Sequence, residues 1–155
     1  MKNKKNEKRK TKNLRNTYGK HRFMEYISES REQTIALGEQ FAKTLKCGSV
    51  VLLNGEMGAG KTVFVKGIAK GLGITDEILS PTYAYMNDYD GKLYHYDCYR
   101  LTSGDDAESL GLTDYFYAGG ICVVEWAQNI KSVLPDNCIT VNIKKLGENK
   151  RSVEF

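Results

Sequence analysis

The segment at residues 55–62 (GEMGAGKT) constrains the fold of this 155-residue chain more than any other feature. It fits the P-loop pattern G-x-x-x-x-G-K-[ST] at every specified position. A P-loop must join a buried strand to the start of a helix. Both flanks fit, because residues 49–53 (SVVLL) form a short apolar run while Val65, Ile68 and Leu72 recur at helical spacing.

The glycines of this segment explain what it can bind. They let successive backbone N–H groups turn inward around an anion, and a helix that begins near Gly60 adds the positive end of its dipole. We expect Lys61 to reach the β- and γ-phosphates of a nucleoside triphosphate and the Thr62 hydroxyl to bind Mg²⁺. The alternative is a flexible glycine turn with an exposed lysine. The predicted nucleotide-binding residues are Gly55, Glu56, Met57, Gly58, Ala59, Gly60, Lys61 and Thr62.

A P-loop works with an acid at the end of a neighbouring strand, which holds the metal or polarises water. Glu125 follows four apolar residues (121–124, ICVV), and Asp97 follows the more polar stretch 93–96 (LYHY). From pattern alone, Glu125 is the better-placed acid of a buried strand. The alternative for either carboxylate is an ion pair at the edge of the sheet.

Four further side chains have both a functional and a structural interpretation. Thr82, in the segment Ser-Pro-Thr, either senses the γ-phosphate or belongs to a simple junction between loop and strand. Arg100 is either a phosphate sensor or the partner of a nearby acid. For Trp126 a place in the core or at its rim is favoured over base stacking. For His95 a hydrogen-bonded place in the sheet is favoured over general base catalysis.

Strands alternate with helices along the chain, which predicts an α/β fold. We expect a P-loop NTPase-like sheet whose central strands, 49–53 and 121–125, are parallel, with antiparallel additions and flanking helices. A capping box at residues 30–33 opens the first helix, and Gly48 is expected to end it. The remaining predictions are an edge strand at 23–28, a hairpin of 82–88 and 92–98 around Asp90-Gly91, short helices within 104–117, and closing strands at 138–143 and 151–155.

Charge divides the chain into two parts. Residues 1–22 carry seven Lys and three Arg against one Glu, a charge of +9, so residues 23–155 carry −5 of the total of +4. We predict a disordered basic tail, either a solvated leader or an arm that contacts RNA phosphates. No apolar run is long enough for a membrane span or a signal peptide, and the four cysteines are widely spaced. These features favour a cytoplasmic protein with reduced cysteines and no membrane partner.

Four motifs in this order, GEMGAGKT, SPT, HYDCYR and VVEW, resemble the TsaE family (also called YjeE) over roughly residues 23–155. The resemblance implies a P-loop ATPase domain at 23–155 that requires ATP and Mg²⁺. It also implies a role in the threonylcarbamoyladenosine (t6A) modification of tRNA, with TsaD and TsaB as partners. Activity is expected to be slow alone and stimulated by these partners. Contact with tRNA is expected to be indirect, with the basic tail, about which the resemblance says nothing, as one route.

The resemblance also implies roles for single residues. Lys61 and Thr62 match the family's phosphate and magnesium residues, and Thr82 matches its switch threonine. Asp97 and Glu125 match its acidic pair near the metal and the attacking water. The predicted catalytic residues are therefore Lys61, Thr82, Asp97 and Glu125, and the predicted metal ligands are Thr62, Asp97 and Glu125.

Two other functions remain open from sequence. A small-molecule kinase usually clamps phosphates with several arginines, but Arg100 is the single arginine between Gly48 and Lys150. A non-enzymatic protein that uses the nucleotide to switch an interaction, or an RNA-binding protein with a basic arm, is the second alternative. The acidic charge of residues 23–155 argues against direct RNA binding by the domain itself.

Overall fold

A computed structural model describes residues 23–155, and every structural statement below concerns this part of the chain. Seven strands form one mixed sheet. They are β1 (Glu25–Ser28), β2 (Val50–Asn54), β3 (Met86–Tyr89), β4 (Leu93–Asp97), β5 (Ile121–Glu125), β6 (Ile139–Lys145) and β7 (Arg151–Glu154). Their order across the sheet is β1-β7-β6-β2-β5-β4-β3.

The central strands are parallel, as predicted. β2 lies between β5 and β6 and runs parallel to both, and β5 also pairs in parallel with β4. The outer pairs β1–β7, β6–β7 and β3–β4 are antiparallel. Since a strand buried on both faces carries apolar residues throughout, the apolar runs of β2 and β5 mark the middle of the sheet. The predicted α/β fold class is confirmed.

Two helices cover one face of the sheet: α1 (Arg31–Ala42) and α2 (Lys61–Gly71). They approach closely where Gly38 faces Gly67, because a Cβ atom on either glycine would clash with backbone of the other helix. Ser30 caps α1 as predicted, accepting a hydrogen bond of 3.1 Å from the Gln33 backbone N–H. Between these helices and the sheet lies an apolar core that includes Val51, Leu53, Phe64 and Ile68.

The prediction that Gly48 ends α1 is wrong, since the helix stops six residues earlier. After Ala42 the chain makes tight i→i−3 bonds, such as Thr44 N–H to the Phe41 carbonyl at 2.9 Å. These bonds satisfy the last carbonyls, so the helix needs no glycine cap. Gly48, with φ +82°, belongs to the turn that leads into β2.

The other face of the sheet is covered by α3 (Gly104–Ser109) and two 3₁₀-helices, Leu112–Tyr117 and Ala127–Val133. They surround a second apolar core, within which the Tyr96 hydroxyl donates to the Leu112 carbonyl at 2.9 Å. The short helices predicted within 104–117 are confirmed. Of the helices between residues 23 and 155, none is long and apolar enough to cross a membrane.

The β3–β4 hairpin forms around the predicted turn, where Asp90 and Gly91 both have positive φ. Its first strand, however, begins at Met86, so a strand from residue 82 is wrong. The Ala84 N–H bonds to the Pro81 carbonyl and Tyr85 has φ +62°, which turns the chain before it enters the sheet. The strands predicted at 23–28, 138–143 and 151–155 are present as β1, β6 and β7.

Candidate active site

Residues 55–62, which carry the P-loop pattern and are called the P-loop below, connect β2 to α2. Gly58 and Gly60 have φ values of +81° and +98°, a region that side chains disfavour. Gly55 packs so closely that a Cβ atom there would lie 2.8 Å from the Ile143 carbonyl oxygen. Helix α2 starts at Lys61 without a side-chain cap, so its first N–H groups remain available to an anion.

The Lys61 side chain folds back over the P-loop. Its Nζ atom donates to the Gly55 carbonyl at 2.6 Å and lies 5.3 Å from the centre of the Trp126 ring. Lys61 and Trp126 line a cavity of about 360 Å³ on the β5 side of the P-loop. A second cavity, of about 500 Å³, lies on the β6 side. Volumes of this size are typical of small-molecule sites. The first cavity is lined by Leu53, Asn54, Gly55, Lys61, Trp126 and Gln128.

Asp97 and Glu125 are neighbours at the carboxyl ends of β4 and β5, where they are partners in the strand register. Their exposed fractions are 8% and 4%. Glu125 is also the register partner of Leu53, directly before the P-loop. One oxygen of Asp97 accepts the Tyr99 N–H at 3.0 Å. Both candidate acids are therefore buried at neighbouring strand ends, with Glu125 next to the strand that leads into the P-loop and Asp97 one strand further.

His95 lies beneath this pair and is fully buried. Its Nε2 atom is 3.4 Å from Oε2 of Glu125, yet within residues 23–155 neither ring nitrogen has a hydrogen-bond partner. The prediction of a hydrogen-bonded sheet histidine is therefore wrong in detail. The β4 register determines this position, because side chains two residues apart share one face of a strand, so His95 and Asp97 face the same side.

Cys98 follows Asp97 and is also fully buried. Burial, together with the nearby charges of Asp97 and Glu125, raises the pKa of its thiol to about 12. The thiol therefore stays protonated and contributes no charge to the site. All four cysteines are free, as predicted: Cys47, Cys98, Cys122 and Cys138.

The structure does not bring Thr82 to the P-loop. Its hydroxyl lies 2.9 Å from that of Ser80, and in the described part of the chain no hydrogen bond joins it to residues 55–62. One link to the acids does exist, since the Asp97 N–H donates to the Tyr85 carbonyl at 2.8 Å. Thr82 thus lies on a turn anchored beside the acids.

Arg100 forms no ion pair with an acid in the described residues, and its role as a phosphate sensor stays a prediction. Its guanidinium lies 5.5 Å and 5.3 Å from the ring centres of Tyr83 and Tyr85. It also donates to the Tyr85 hydroxyl at 3.4 Å. The side chain is engaged by aromatic faces rather than by an acid.

Comparison with known proteins now identifies the family. The family model described as "Threonylcarbamoyl adenosine biosynthesis protein TsaE" matches residues 28–153. This chain belongs to the TsaE family. It is 41% identical over 132 residues to the tRNA threonylcarbamoyladenosine biosynthesis protein TsaE of Treponema pallidum, covering 84% of this chain and 98% of that protein. The resemblance drawn from the four motifs is confirmed.

Other TsaE relatives agree. The Bacillus subtilis TsaE is 44% identical over 127 residues, which cover 80% of this chain and 79% of the relative. A crystal structure of Bacillus subtilis YdiB superposes with a TM-score of 0.73 at 36% identity, covering 86% of this chain and 84% of the other. The predictions for the basic segment 1–22 lie outside the described residues and outside the TsaE match.

Arg151 is a site residue that nothing in the local sequence pattern singled out. From the start of β7 its Nε atom donates to the Ala59 carbonyl of the P-loop at 2.9 Å. Its Nη1 atom contacts three carbonyls of the turn between β6 and β7, at 2.8 to 3.1 Å. In this TsaE chain the P-loop is therefore held by a residue 92 positions away in sequence.

Proposed function

We propose that this chain binds ATP at the P-loop and hydrolyses it in support of the t6A modification of tRNA, in the cytoplasm, with TsaD and TsaB as partners. The role in t6A biosynthesis rests on the names of its TsaE relatives. The observation that supports the ATPase is the placement of two buried acids at the carboxyl ends of adjacent strands, with Glu125 on the strand next to the one that leads into the P-loop and Asp97 one strand further.

The oxygen-rich donor set beside the P-loop fits Mg²⁺. That ion takes one or two carboxylates together with waters and phosphates, rather than a cage of protein ligands. Thr62, Asp97 and Glu125 would hold Mg²⁺, which supplies charge neutralisation at the phosphates when bound.

Each residue then has a defined part in hydrolysis. The N–H groups of residues 55–62 bind the phosphates, and Lys61 leaves the Gly55 carbonyl to neutralise the β- and γ-phosphate charge. Glu125, on the strand next to the P-loop, orients the attacking water. Asp97, held by the Tyr99 N–H, stays fixed beside the metal position. Thr82 senses the γ-phosphate by contact with it, and the turn that carries Thr82 is anchored to the Asp97 N–H by the Tyr85 carbonyl.

The arginines argue against the kinase alternative. A phosphoryl-transfer site that serves a second substrate needs free cations around the transferred group. Arg100 lies over two tyrosine rings, and Arg151 is hydrogen bonded to four backbone carbonyls. Neither is available as a phosphate clamp in this arrangement.

The test is phosphate release from ATP by the purified protein, alone and with TsaB and TsaD. We expect slow release alone and faster release with both partners. ATP binding without release in any mixture would leave the non-enzymatic alternative, in which the nucleotide switches an interaction. A phosphorylated metabolite formed without free phosphate would indicate a kinase.

A further inference from the structure

Arg151 makes contacts that a simple surface arginine does not need. Its guanidinium is partly buried and donates hydrogen bonds to four carbonyls, one on the P-loop and three within residues 147–150. Hydrogen bonds from a charged donor are shorter and stronger than neutral ones, and the arginine fork fixes the orientation of its acceptors. The guanidinium therefore joins the P-loop to the β6–β7 turn as one unit.

The acceptor on the P-loop is the Ala59 carbonyl, which shares a peptide group with the Gly60 N–H. A trans peptide is planar, so its C=O and N–H point in opposite directions. When Arg151 fixes this carbonyl on one side, the Gly60 N–H must face the other side. Within residues 23–155 this N–H donates to no protein acceptor, so its orientation is set by the carbonyl across the peptide.

The backbone is anchored on both sides of this peptide, by the Ala59 N–H bond to the Glu56 carbonyl at 3.0 Å and the Phe64 N–H bond to the Gly60 carbonyl at 3.1 Å, but neither bond includes the Ala59 carbonyl or the Gly60 N–H. Gly58 and Gly60, on either side of Ala59, both have positive φ, and glycine loses more freedom on ordering than any other residue. The Ala59–Gly60 peptide turns about ψ of Ala59 and φ of Gly60, where glycine is permissive, and the Arg151 side chain is the partner that holds its carbonyl. Arg151 is in close contact here, since a Cβ atom on Gly60 would lie 3.6 Å from its Nε atom.

We propose that Arg151 is a positioning residue of the P-loop: it holds the Ala59 carbonyl outward, so that the Gly60 N–H is directed to the phosphates before the nucleotide arrives. This inference rests on the proposed nucleotide binding. Because the backbone N–H groups of a P-loop cradle the α- and β-phosphates, Arg151 should affect ATP and ADP equally. It should affect binding more than the hydrolytic step.

The experiment measures Kd for Mg·ATP and Mg·ADP, and kcat in the presence of TsaB and TsaD, for wild type, Arg151→Ala, Arg151→Lys and Lys150→Ala. Lys150→Ala is the matched control, since it removes a neighbouring charge while keeping its backbone carbonyl. We expect Arg151→Ala to raise both Kd values about tenfold, which corresponds to about 1.4 kcal/mol, and to change kcat less than about twofold. Arg151→Lys keeps the charge but can donate to fewer carbonyls, so its Kd values should lie between those of wild type and Arg151→Ala.

Chemical rescue separates positioning from a general effect on folding. Ethylguanidinium should restore ADP affinity to Arg151→Ala, whereas ethylammonium should not, because the fork geometry is the missing part. If Arg151→Ala does not fold, the same comparison is made with Arg151→Lys, for which a Kd equal to wild type would count against the proposal. Equal losses of nucleotide affinity in Arg151→Ala and Lys150→Ala would show that the effect is one of net charge, and would overturn the proposal. Failure of the wild type to bind ATP or ADP would instead overturn the proposed function itself.

Discussion

The Nε2 atom of His95 lies 3.4 Å from the Oε2 atom of Glu125, with both side chains buried beneath the carboxyl edge of the sheet. Neither ring nitrogen has a hydrogen-bond partner within residues 23–155. A buried polar atom without a partner costs free energy, so such groups are uncommon and concentrate at functional sites. The imidazole of His95 therefore lies beside the Glu125 carboxylate, and we expect it to orient that group.

Replacing His95 tests this role. His95→Leu introduces an apolar side chain of comparable size and removes both nitrogens, so we expect ATP turnover to fall about tenfold or more as Glu125 loses the imidazole 3.4 Å from its Oε2 atom. His95→Gln, which retains an amide nitrogen, should recover part of the rate. Single-turnover phosphate release measures the effect, and the ATP Kd should stay within about twofold of wild type in both variants. Identical rates in Leu, Gln and wild-type proteins would remove His95 from the site.

Glu125 itself should separate binding from hydrolysis. Glu125→Gln preserves size but removes the charge that orients water, and loss of such a group typically lowers the rate about 10²- to 10⁴-fold. We expect ATP to bind with near-normal affinity while phosphate release is lost. The control is Glu108→Gln on the exposed surface of α3, which should hydrolyse ATP like the wild type. Turnover by Glu125→Gln at the wild-type rate would leave Asp97 as the remaining acid.

The contact between Lys61 and Trp126 provides a binding signal. Trp126 is the single tryptophan of the chain, and its ring lies 5.3 Å from the Lys61 Nζ atom. Nucleotide binding should draw Lys61 toward phosphate and change the tryptophan emission, which a titration with Mg·ATP measures. Lys61→Ala should raise the ATP Kd by about tenfold to 10²-fold, the range expected for one charge-assisted bond. Lys66→Ala, on the same helix, should titrate like the wild type, and a saturable signal of wild-type affinity in Lys61→Ala would contradict the assignment.

The close contact between α1 and α2 predicts the sign of the change in the free energy of unfolding when Gly67 is replaced by alanine. Within a helix, alanine is normally about 1 kcal/mol more favourable than glycine. At Gly67, however, a Cβ atom would clash with the Ile35 carbonyl and lie 2.9 Å from the Gly38 Cα atom. We therefore expect Gly67→Ala to lower the free energy of unfolding by about 1–3 kcal/mol, measured by urea denaturation. At Gly147 a Cβ atom would meet only the Lys150 Cβ atom, at 3.7 Å. The free energy of unfolding of Gly147→Ala should therefore lie within about 0.5 kcal/mol of the wild-type value. An increase in stability for Gly67→Ala would show that the helices separate easily.

The features that were predictable from sequence are those encoded in neighbouring residues. The glycine spacing of residues 55–62 and the apolar run before Glu125 are local patterns, so the sequence predicts the connection from β2 to α2 and the buried strand β5. The prediction that Gly48 ends α1 is wrong because i→i−3 bonds end the helix first. The prediction of a strand from residue 82 is wrong because Tyr85 adopts positive φ. The Arg151–Ala59 contact spans 92 positions and depends on how β7, β6 and β2 are ordered in the sheet. No local pattern encodes such an order, which only the assembled sheet reveals.

The buried thiol of Cys98 predicts a specific loss of stability in alkali. Its pKa rises from an ordinary value of 9.0 to about 12, chiefly by burial. Above pH 9 the unfolded chain therefore releases this proton while the folded chain keeps it, so the unfolded state binds fewer protons and the free energy of unfolding falls as pH rises. The slope is at most about 1.4 kcal/mol per pH unit for this thiol.

Cys98→Ala should remove that slope without affecting the behaviour below pH 9. The comparison is made by urea denaturation between about pH 7 and pH 11, where other groups titrate equally in both proteins. Truncation at this buried position also lowers stability at every pH, but such an offset leaves the slope unchanged. Wild type and Cys98→Ala should therefore differ by a constant amount up to about pH 9 and then converge. Curves that stay parallel through pH 11 would mean that the thiol titrates in the folded protein as it does in the unfolded chain, and that the buried layer beneath Asp97 and Glu125 opens to water.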